Sequence, residues 1–507
     1  MDQKTSSPLM EPIAPARGGT GPQVLFAASE AYPLVKTGGL ADVACYLSKA
    51  LAEQGADARI VLPAYGAVLE QVTDALTLAR LSVEGATSPV RLLQTMLPGT
   101  GVPVYLVDCP ALYARPGNPY VQPDGTDWAD NAARFALFSR VIALIATRRA
   151  GLDWAPEIVH CNDWHTGLAP ALLASEPARP ATVFVIHNLA FRGLFPAGTF
   201  PALALPARLW GADGLEFYGQ LSFIKGGLVF ADRLVAVSPG FARDILTPAG
   251  GHGMDGLLRA RAGVLSGILN GVDYRVWDPR RDPFIASHYW LDALEGKRAD
   301  KRALQQELGL FPSDGALLFG FIGRLADQKG VDLILAIVDD LMAHGDVQLA
   351  LLGSGERFYE QELRRAAGRW HGRVGARIGY DEGLAHRLEA GVDCFLMPSR
   401  EEPCGLNQLY SLRYGTVPIV RATGGLADTV IDADSPGATG FVFREAIPHA
   451  VYAACTRARE VFVRTPERWH ALMQGGMRQD FGWERSARAY LDLYRSLIRE
   501  RAPRACE

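Results

Sequence analysis

From Gln23 onward, short apolar runs alternate with longer stretches in which apolar residues recur every three or four positions. Gln23-Val-Leu-Phe-Ala-Ala is a continuous apolar run of strand length, which predicts a strand covered on both faces. A glycine-bearing loop follows at Lys36-Thr37-Gly38-Gly39, then helical spacing over 40–54, a stop at Gly55, and the next run at Ala58-Arg-Ile-Val-Leu-Pro. Strand, loop, helix and strand in that order predict a parallel α/β sheet. The unit recurs, with strands at 104–107, 157–160, 182–186 and 233–238 and a helix over 131–150.

A second series opens after Asn270-Gly-Val-Asp. Strands are predicted at 317–323, 348–355 (ending in glycines), 392–398 and 417–420, with a helix starting near Val331. Asn270-Gly271 and Asp278-Pro279 are turn pairs that punctuate the join. The expected organisation is therefore a tail at 1–22, a first α/β domain at 23–270 and a second from 271 onward. Ligands of open α/β sheets sit beyond the carboxyl ends of strands. The polar residues singled out below fall at such ends, which predicts a cleft.

Composition narrows the classes of function. The 507 residues are 49% hydrophobic and 21% charged, ordinary for a globular chain of two or three domains. The net charge is −4 and there is no basic run, so nucleic acid is not an expected partner. No apolar run approaches the ~18 residues that span a bilayer, and residues 1–22 lack the apolar core of a secretory signal. Seven cysteines, at 45, 109, 161, 394, 404, 455 and 506, form no Cys-x-x-Cys pair. Neither a disulfide framework nor a zinc site is suggested, and a reducing cytoplasm fits.

The candidate chemistry lies in five places. Lys36-Thr37-Gly38-Gly39-Leu40-Ala41-Asp42 pairs glycines with a helix start and a cation, suited to an anion; alone it reads equally as a plain turn. A near-copy, Thr423-Gly424-Gly425-Leu426-Ala427-Asp428, recurs after a strand in the second series, and two equivalent loops favour ligand binding. Arg324 and Lys329 in Gly323-Arg-Leu-Ala-Asp-Gln-Lys-Gly330 follow a strand and can clamp a diphosphate without a metal. Pro398-Ser-Arg-Glu401-Glu402-Pro-Cys404-Gly405-Leu406 puts carboxylates after a buried strand, where one can bind sugar hydroxyls or support positive charge at an anomeric carbon. One of the two adjacent glutamates can simply face solvent. Finally, His160-Cys-Asn-Asp163-Trp164-His165 and His187-Asn188 end two strands. Their spacing matches no metal-ligand pattern, and polar groups beside an aromatic suit a sugar. His160 is expected to be a core histidine, while His187 and Asp163 are expected to be functional. Tyr380 follows a strand end and can stack on a base or be structural.

With these residues in place, the chain resembles the bacterial glycogen synthases and plant starch synthases, the ADP-glucose-type α-1,4-glucan synthases. The resemblance runs from Gln23 to about Ile498 and rests on the Lys36–Asp42 loop, Asp163-Trp-His, His187-Asn188, Asn270-Gly-Val-Asp, Arg324 with Gln328-Lys-Gly330, Glu402-Pro-Cys-Gly-Leu and Thr423-Gly-Gly-Leu-Ala-Asp-Thr-Val. It implies a GT-B fold, two Rossmann-like domains with parallel sheets facing across a deep cleft, the second spanning 271–480, and a C-terminal segment at 481–507 that returns to the first domain. It also implies retaining transfer of glucose from ADP-glucose to the non-reducing end of glycogen or a malto-oligosaccharide, with no cofactor and no metal.

The residue roles follow from the same resemblance. Lys36, Gly38, Gly39 and Asp42 face the donor, Arg324 and Lys329 neutralise the diphosphate, and Thr423, Gly424 and Gly425 donate backbone N–H bonds to it. Glu402 holds the donor glucose within the loop completed by Cys404, Gly405 and Leu406, His187 bonds the glucose with its carbonyl close to the developing oxocarbenium, Asn188 is a further substrate contact, Asp163 and Trp164 contact sugar, and Tyr380 packs on adenine. The chain departs from the common pattern at Glu401, where an aromatic is usual, at Asn407, where Thr is frequent, and at Gln408 and Tyr410, where related transferases carry a second glutamate. The rival expectations are a UDP-glucose donor and a glucan-binding regulator without turnover. A nicotinamide oxidoreductase would need a Gly-x-Gly-x-x-Gly fingerprint that is absent.

Overall fold

Val24 to Ala27 are wholly buried, so this stretch needs cover on both faces and neighbours on both edges. In a computed structural model, which describes residues 21–501 apart from Thr87, it is a strand at the centre of a nine-stranded sheet. Residues 1–20 of the expected tail, residues 502–507 of the C-terminal segment and Cys506 lie outside the described residues. Gln23–Ala27 pairs in parallel with Asp57–Pro63 on one side and Ile158–Asn162 on the other. Beyond the latter run Ala181–Ile186, Arg233–Ala236 and Leu265–Gly267, all parallel. Beyond the former, Pro103–Asp108 is parallel, and Val90–Met96 and Leu76–Leu81 close the edge antiparallel. That edge hairpin had no clear signal in the sequence, because Leu76–Leu81 is only half covered and mixes polar with apolar residues.

The second sheet has six strands, all parallel, in the order Val374–Ile378, Val347–Gly353, Leu317–Ile322, Cys394–Met397, Val417–Arg421 and Phe441–Phe443. Numbered by sequence this is 3-2-1-4-5-6, the doubly wound Rossmann order. Leu317, Phe319 and Phe321 pack into one apolar layer and Leu318 into the other, so both faces are covered.

The chain divides into two compact units. The first comprises residues up to Ala236, Gly251–Ile268 and the segment from Trp483; the second comprises Val237–Gly250 and Leu269–Gly482. A single cut at 270 does not separate them, because Ser238, Gly240 and Asp244 are hydrogen-bonded to Pro403, Asp428 and Gly424 of the second unit. The last helix, Trp483–Arg501, buries Tyr490, Leu491 and Tyr494 in the first unit, and the Tyr494 hydroxyl meets His160 Nδ1 at 2.6 Å. Arg233 pairs with Glu500 at 2.7 Å on the same helix. Among the described residues, no helix is long and apolar enough to cross a membrane.

Candidate functional site

In the second unit the strand order reverses between Leu317–Ile322 and Cys394–Met397, the position at which open α/β sheets bind their ligands. Lys329 lies on the first loop and Glu402 on the second, and their Nζ and Oε2 atoms are 2.6 Å apart. Glu402 is buried and its Oε2 also accepts from Ser399 Oγ at 3.0 Å. The loops are knitted by their backbones. Arg400 donates its amide to Gln328 O at 2.8 Å and forks onto Asp332 through two bonds of 2.7 Å. Gly330 sits at φ +71 with its α-carbon against Pro398, where a Cβ would lie 2.3 Å from a carbonyl oxygen. Asn407 donates to Ile322 O at 2.9 Å, which ties the start of its helix to the end of the central strand.

The glycine loop Thr423–Gly425 packs against the Glu402 loop. Gly425 donates its N–H to Glu402 O at 3.1 Å, and the N–H of Gly424 goes to Asp244 Oδ2 at 2.8 Å. Cys404 is buried, and burial pushes its thiol up to about 12, so it shapes the loop and is no nucleophile at neutral pH. Gly405, at φ +72, turns the chain where a Cβ would strike the Gln408 side chain. Arg324 is exposed, with a long 3.5 Å contact to Gln328 Oε1, and Tyr380 is 77% exposed with its hydroxyl on the Glu382 carboxylate.

In the first unit the corresponding reversal lies between Gln23–Ala27 and Ile158–Asn162. Just past the first strand, buried Glu30 accepts from the Thr37 N–H at 2.5 Å, the Thr37 hydroxyl at 2.6 Å, the Gly38 N–H at 3.0 Å and the Tyr120 hydroxyl at 2.5 Å. Gly38 and Gly39 are exposed at the start of the helix Gly39–Glu53, and Lys36 reaches Asp42 at 3.0 Å. Just past the other strand, Asp163 stands at φ +53, a conformation that strains any residue with a side chain. Its Oδ1 accepts from the His187 N–H at 2.8 Å and, more weakly, the Asn188 N–H at 3.4 Å. Burial raises this carboxyl to about 7, against the two amide bonds that pull it down, and the charge of Glu30 adds to the rise. Burial also lowers His187 to about 3, so its imidazole is neutral. Asn162 donates Nδ2 to Ala27 O at 2.9 Å, which turns its Oδ1 toward His187 Nε2 at 2.8 Å. That assigns the proton to Nε2 and leaves Nδ1 as the acceptor.

Against this geometry, residues 23–260 match the family model "Starch synthase catalytic domain" and residues 306–458 match "Glycosyl transferases group 1". A glycogen synthase of Thioalkalivibrio sulfidiphilus is 55% identical, over 94% of this chain and 100% of its own. Glycogen synthase 1 of Methylococcus capsulatus is 53% identical over 94% of this chain and 97% of its own. The chain belongs to the glycogen and starch synthase family. The solved catalytic domain of starch synthase IV from Arabidopsis thaliana, bound to ADP and acarbose, is 31% identical with a TM-score of 0.85, covering 95% of this chain and 100% of that one. This family is of glycosyltransferases, and the two α/β units are those of the GT-B fold.

Within each unit this synthase groups most of the expected residues. Lys329, Glu402, Cys404–Leu406 and Thr423–Gly425 form one cluster; Asp163, His187 and Asn188 form another. Tyr120 links the latter to the glycine loop, since it bonds Glu30 and stacks on His165 at 4.6 Å, beside Trp164. Trp164 is half-buried against Phe135 at 4.9 Å, and nearby Phe195 and Phe223 leave only part of its indole for a ligand. Arg324 and Tyr380 face solvent. Glu30, Tyr120 and Asp244 were missed from sequence. Glu30 had a signal, its place just past the first strand, whereas Tyr120 and Asp244 reach their partners only through the fold. His160, stacked on Phe26 at 4.2 Å and bonded to Tyr494, is a core residue.

Proposed function

We propose that this synthase transfers glucose from ADP-glucose to the non-reducing 4-hydroxyl of an α-1,4-glucan, with retention at the anomeric carbon. The observation that carries the proposal is the Lys329–Glu402 pair, a cation and a buried carboxylate 2.6 Å apart where the strand order reverses. Breaking the bond from C1 to the diphosphate leaves the electron pair, and negative charge, on ADP and positive charge on the sugar. Arg324 and Lys329 offset the first. Thr423, Gly424 and Gly425 border the diphosphate; the Gly424 N–H, held here by Asp244, would exchange that carboxylate for a phosphate oxygen. Lys36, held by Asp42, adds a further cation beside the open backbone of Gly38 and Gly39.

Glu402 binds the donor glucose hydroxyls, with Cys404, Gly405 and Leu406 fixing its loop. His187, neutral and fixed by Asn162, bonds the sugar without adding positive charge against the developing oxocarbenium. Asn188, Asp163 and the free part of Trp164 border the sugar, and Tyr380 packs on adenine. The acceptor 4-oxygen then bonds C1 on the face the diphosphate leaves, and its proton passes to a diphosphate oxygen. The donor assignment is supported by the family and by the ADP bound to the starch synthase relative. The charge compensation uses side chains and backbone alone, so no metal or other cofactor enters the scheme, and the activity is assigned to the cytoplasm.

The test is incorporation of labelled glucose into glycogen, with ADP-glucose and UDP-glucose compared side by side in the presence of EDTA. Transfer from ADP-glucose is expected. Transfer from UDP-glucose alone would overturn the donor, and glycogen binding without transfer from either would favour a regulator.

A further inference from the structure

The first unit carries a small three-stranded sheet, Leu194–Pro196, Gln220–Ser222 and Glu216–Phe217, that takes no part in the main sheet. Its tightest turn is Tyr218-Gly219, with φ +48 and +78. Two central residues at positive φ mark a type I′ hairpin, whose first position favours Asn, Asp or Gly. This chain places a tyrosine there, and its ring is 81% exposed. A bulky aromatic in a backbone conformation that favours Asn, Asp or Gly, with most of its ring in water, is a poor choice for folding alone, which points to a role in contact.

The ring is nonetheless held. Phe217 meets it edge-on at 4.7 Å, and both rings lie over Gly253, where a Cβ would stand 3.2 Å from Phe217 and 3.5 Å from Tyr218. Glu216 accepts from the Gly219 N–H at 2.7 Å, closing the turn. Buried Lys225 fixes the base by donating to Glu216 O and, at 2.7 Å, to Ala212 O. Arg192 lies 5.8 Å from the Phe217 ring and donates to His252 O at 3.0 Å. The hairpin is continuous with the sugar-side candidates through the chain. Phe191, 49% exposed, donates its amide to Asn188 O, and Arg192 follows directly.

We propose that this hairpin is an additional glucan contact, with Tyr218 a platform for glucose units of the acceptor away from the reacting end. This rests on the α-glucan acceptor proposed above. A glucose ring offers an apolar C–H face to an aromatic ring and hydroxyls at its edge to a guanidinium, and a rigid aromatic with an arginine nearby matches both. A polymer substrate gains from such contacts because each added subsite holds a chain already bound at its end.

The test uses the full chain and needs no turnover. Retention by glycogen in affinity electrophoresis is measured without donor for wild type, Tyr218→Asn and Tyr218→Trp. Asparagine suits positive φ better than tyrosine, so Tyr218→Asn is expected to keep or raise the melting temperature. It should weaken retention about 3- to 10-fold, the size expected for one aromatic contact, while Tyr218→Trp retains it. In a separate turnover assay, KM for glycogen should rise more than KM for maltotriose. Wild-type retention in a folded Tyr218→Asn protein would overturn the hairpin site and leave the acceptor proposal standing. A wild-type protein that neither binds glycogen nor glucosylates it would overturn both.

Discussion

The two glycine loops are nearly the same in sequence and different in what they require. In the first loop Lys36 to Gly39 are exposed, Gly38 is extended at φ −154, and a Cβ there would meet nothing within 4 Å. In the second, Thr423 to Leu426 are buried; Gly424 sits at φ +44, and Cβ atoms on Gly424 and Gly425 would lie 2.0 Å from Glu402 O and 2.1 Å from Cys404 O. In the first loop, glycine keeps space open. In the second it lets one loop lie flat on another. A carboxylate from elsewhere serves each loop: Glu30 takes the N–H groups of Thr37 and Gly38, and Asp244 takes that of Gly424. A repeated motif is therefore no guarantee of a repeated role.

Several substitutions break or sharpen this comparison, beginning with the largest effect. Lys329→Ala should lower turnover by about 10²–10³-fold, the usual loss when one preorganised charge is removed. It should also cost up to ~3 kcal/mol of stability by leaving Glu402 buried without its cation; initial rates on folded protein, with denaturant unfolding alongside, separate the two. Gly425→Ala should destabilise by about 3 kcal/mol through overpacking against Cys404, whereas Gly38→Ala should stay within about 0.5 kcal/mol and show itself in donor KM instead. Equal stability losses in the two variants would contradict the contrast. Asp244→Asn keeps an acceptor for the Gly424 N–H but removes its charge, so donor KM should fall about 5-fold. An unchanged or raised KM would remove Asp244 as a competitor of the diphosphate.

The smallest effect is in pH dependence. The Asp163 carboxyl stands at about 7 in the folded chain, above its unfolded value, so the native state holds a proton that the unfolded state has released. Its contribution to stability is full below the unfolded pKa and is lost as pH rises through about 7. Asp163→Asn should therefore flatten the fall in denaturation midpoint between about pH 4 and 7. Parallel wild-type and variant curves would refute the assignment.

Much of this was legible before the fold. Continuous apolar runs gave the central strands of both sheets, because strands buried on two faces need no polar alternation. The Leu76–Leu81 edge strand and the short Leu265–Gly267 and Phe441–Phe443 strands were not legible, since each is held by its neighbour more than by its own pattern. Lys329 and Glu402 could be named from their loops, but their 2.6 Å pairing, 73 residues apart in the chain, follows only from the 3-2-1-4-5-6 order. The same holds for Asp244, whose partner Gly424 is 180 residues distant. Trp164 was expected to contact sugar, and the aromatic cluster that takes part of its face comes only from the fold.

The central claim is that glucosyl transfer occurs at the Glu402 carboxylate and its lysine. Its most direct test is the rate of labelled glucose transfer from ADP-glucose to glycogen by Glu402→Ala, alongside ADP affinity and the melting temperature of the same protein. A loss of at least about 100-fold in kcat, with the fold intact and ADP still bound, is the predicted result. A wild-type rate in that variant would remove Glu402 from the reaction and with it the site proposed for this chain.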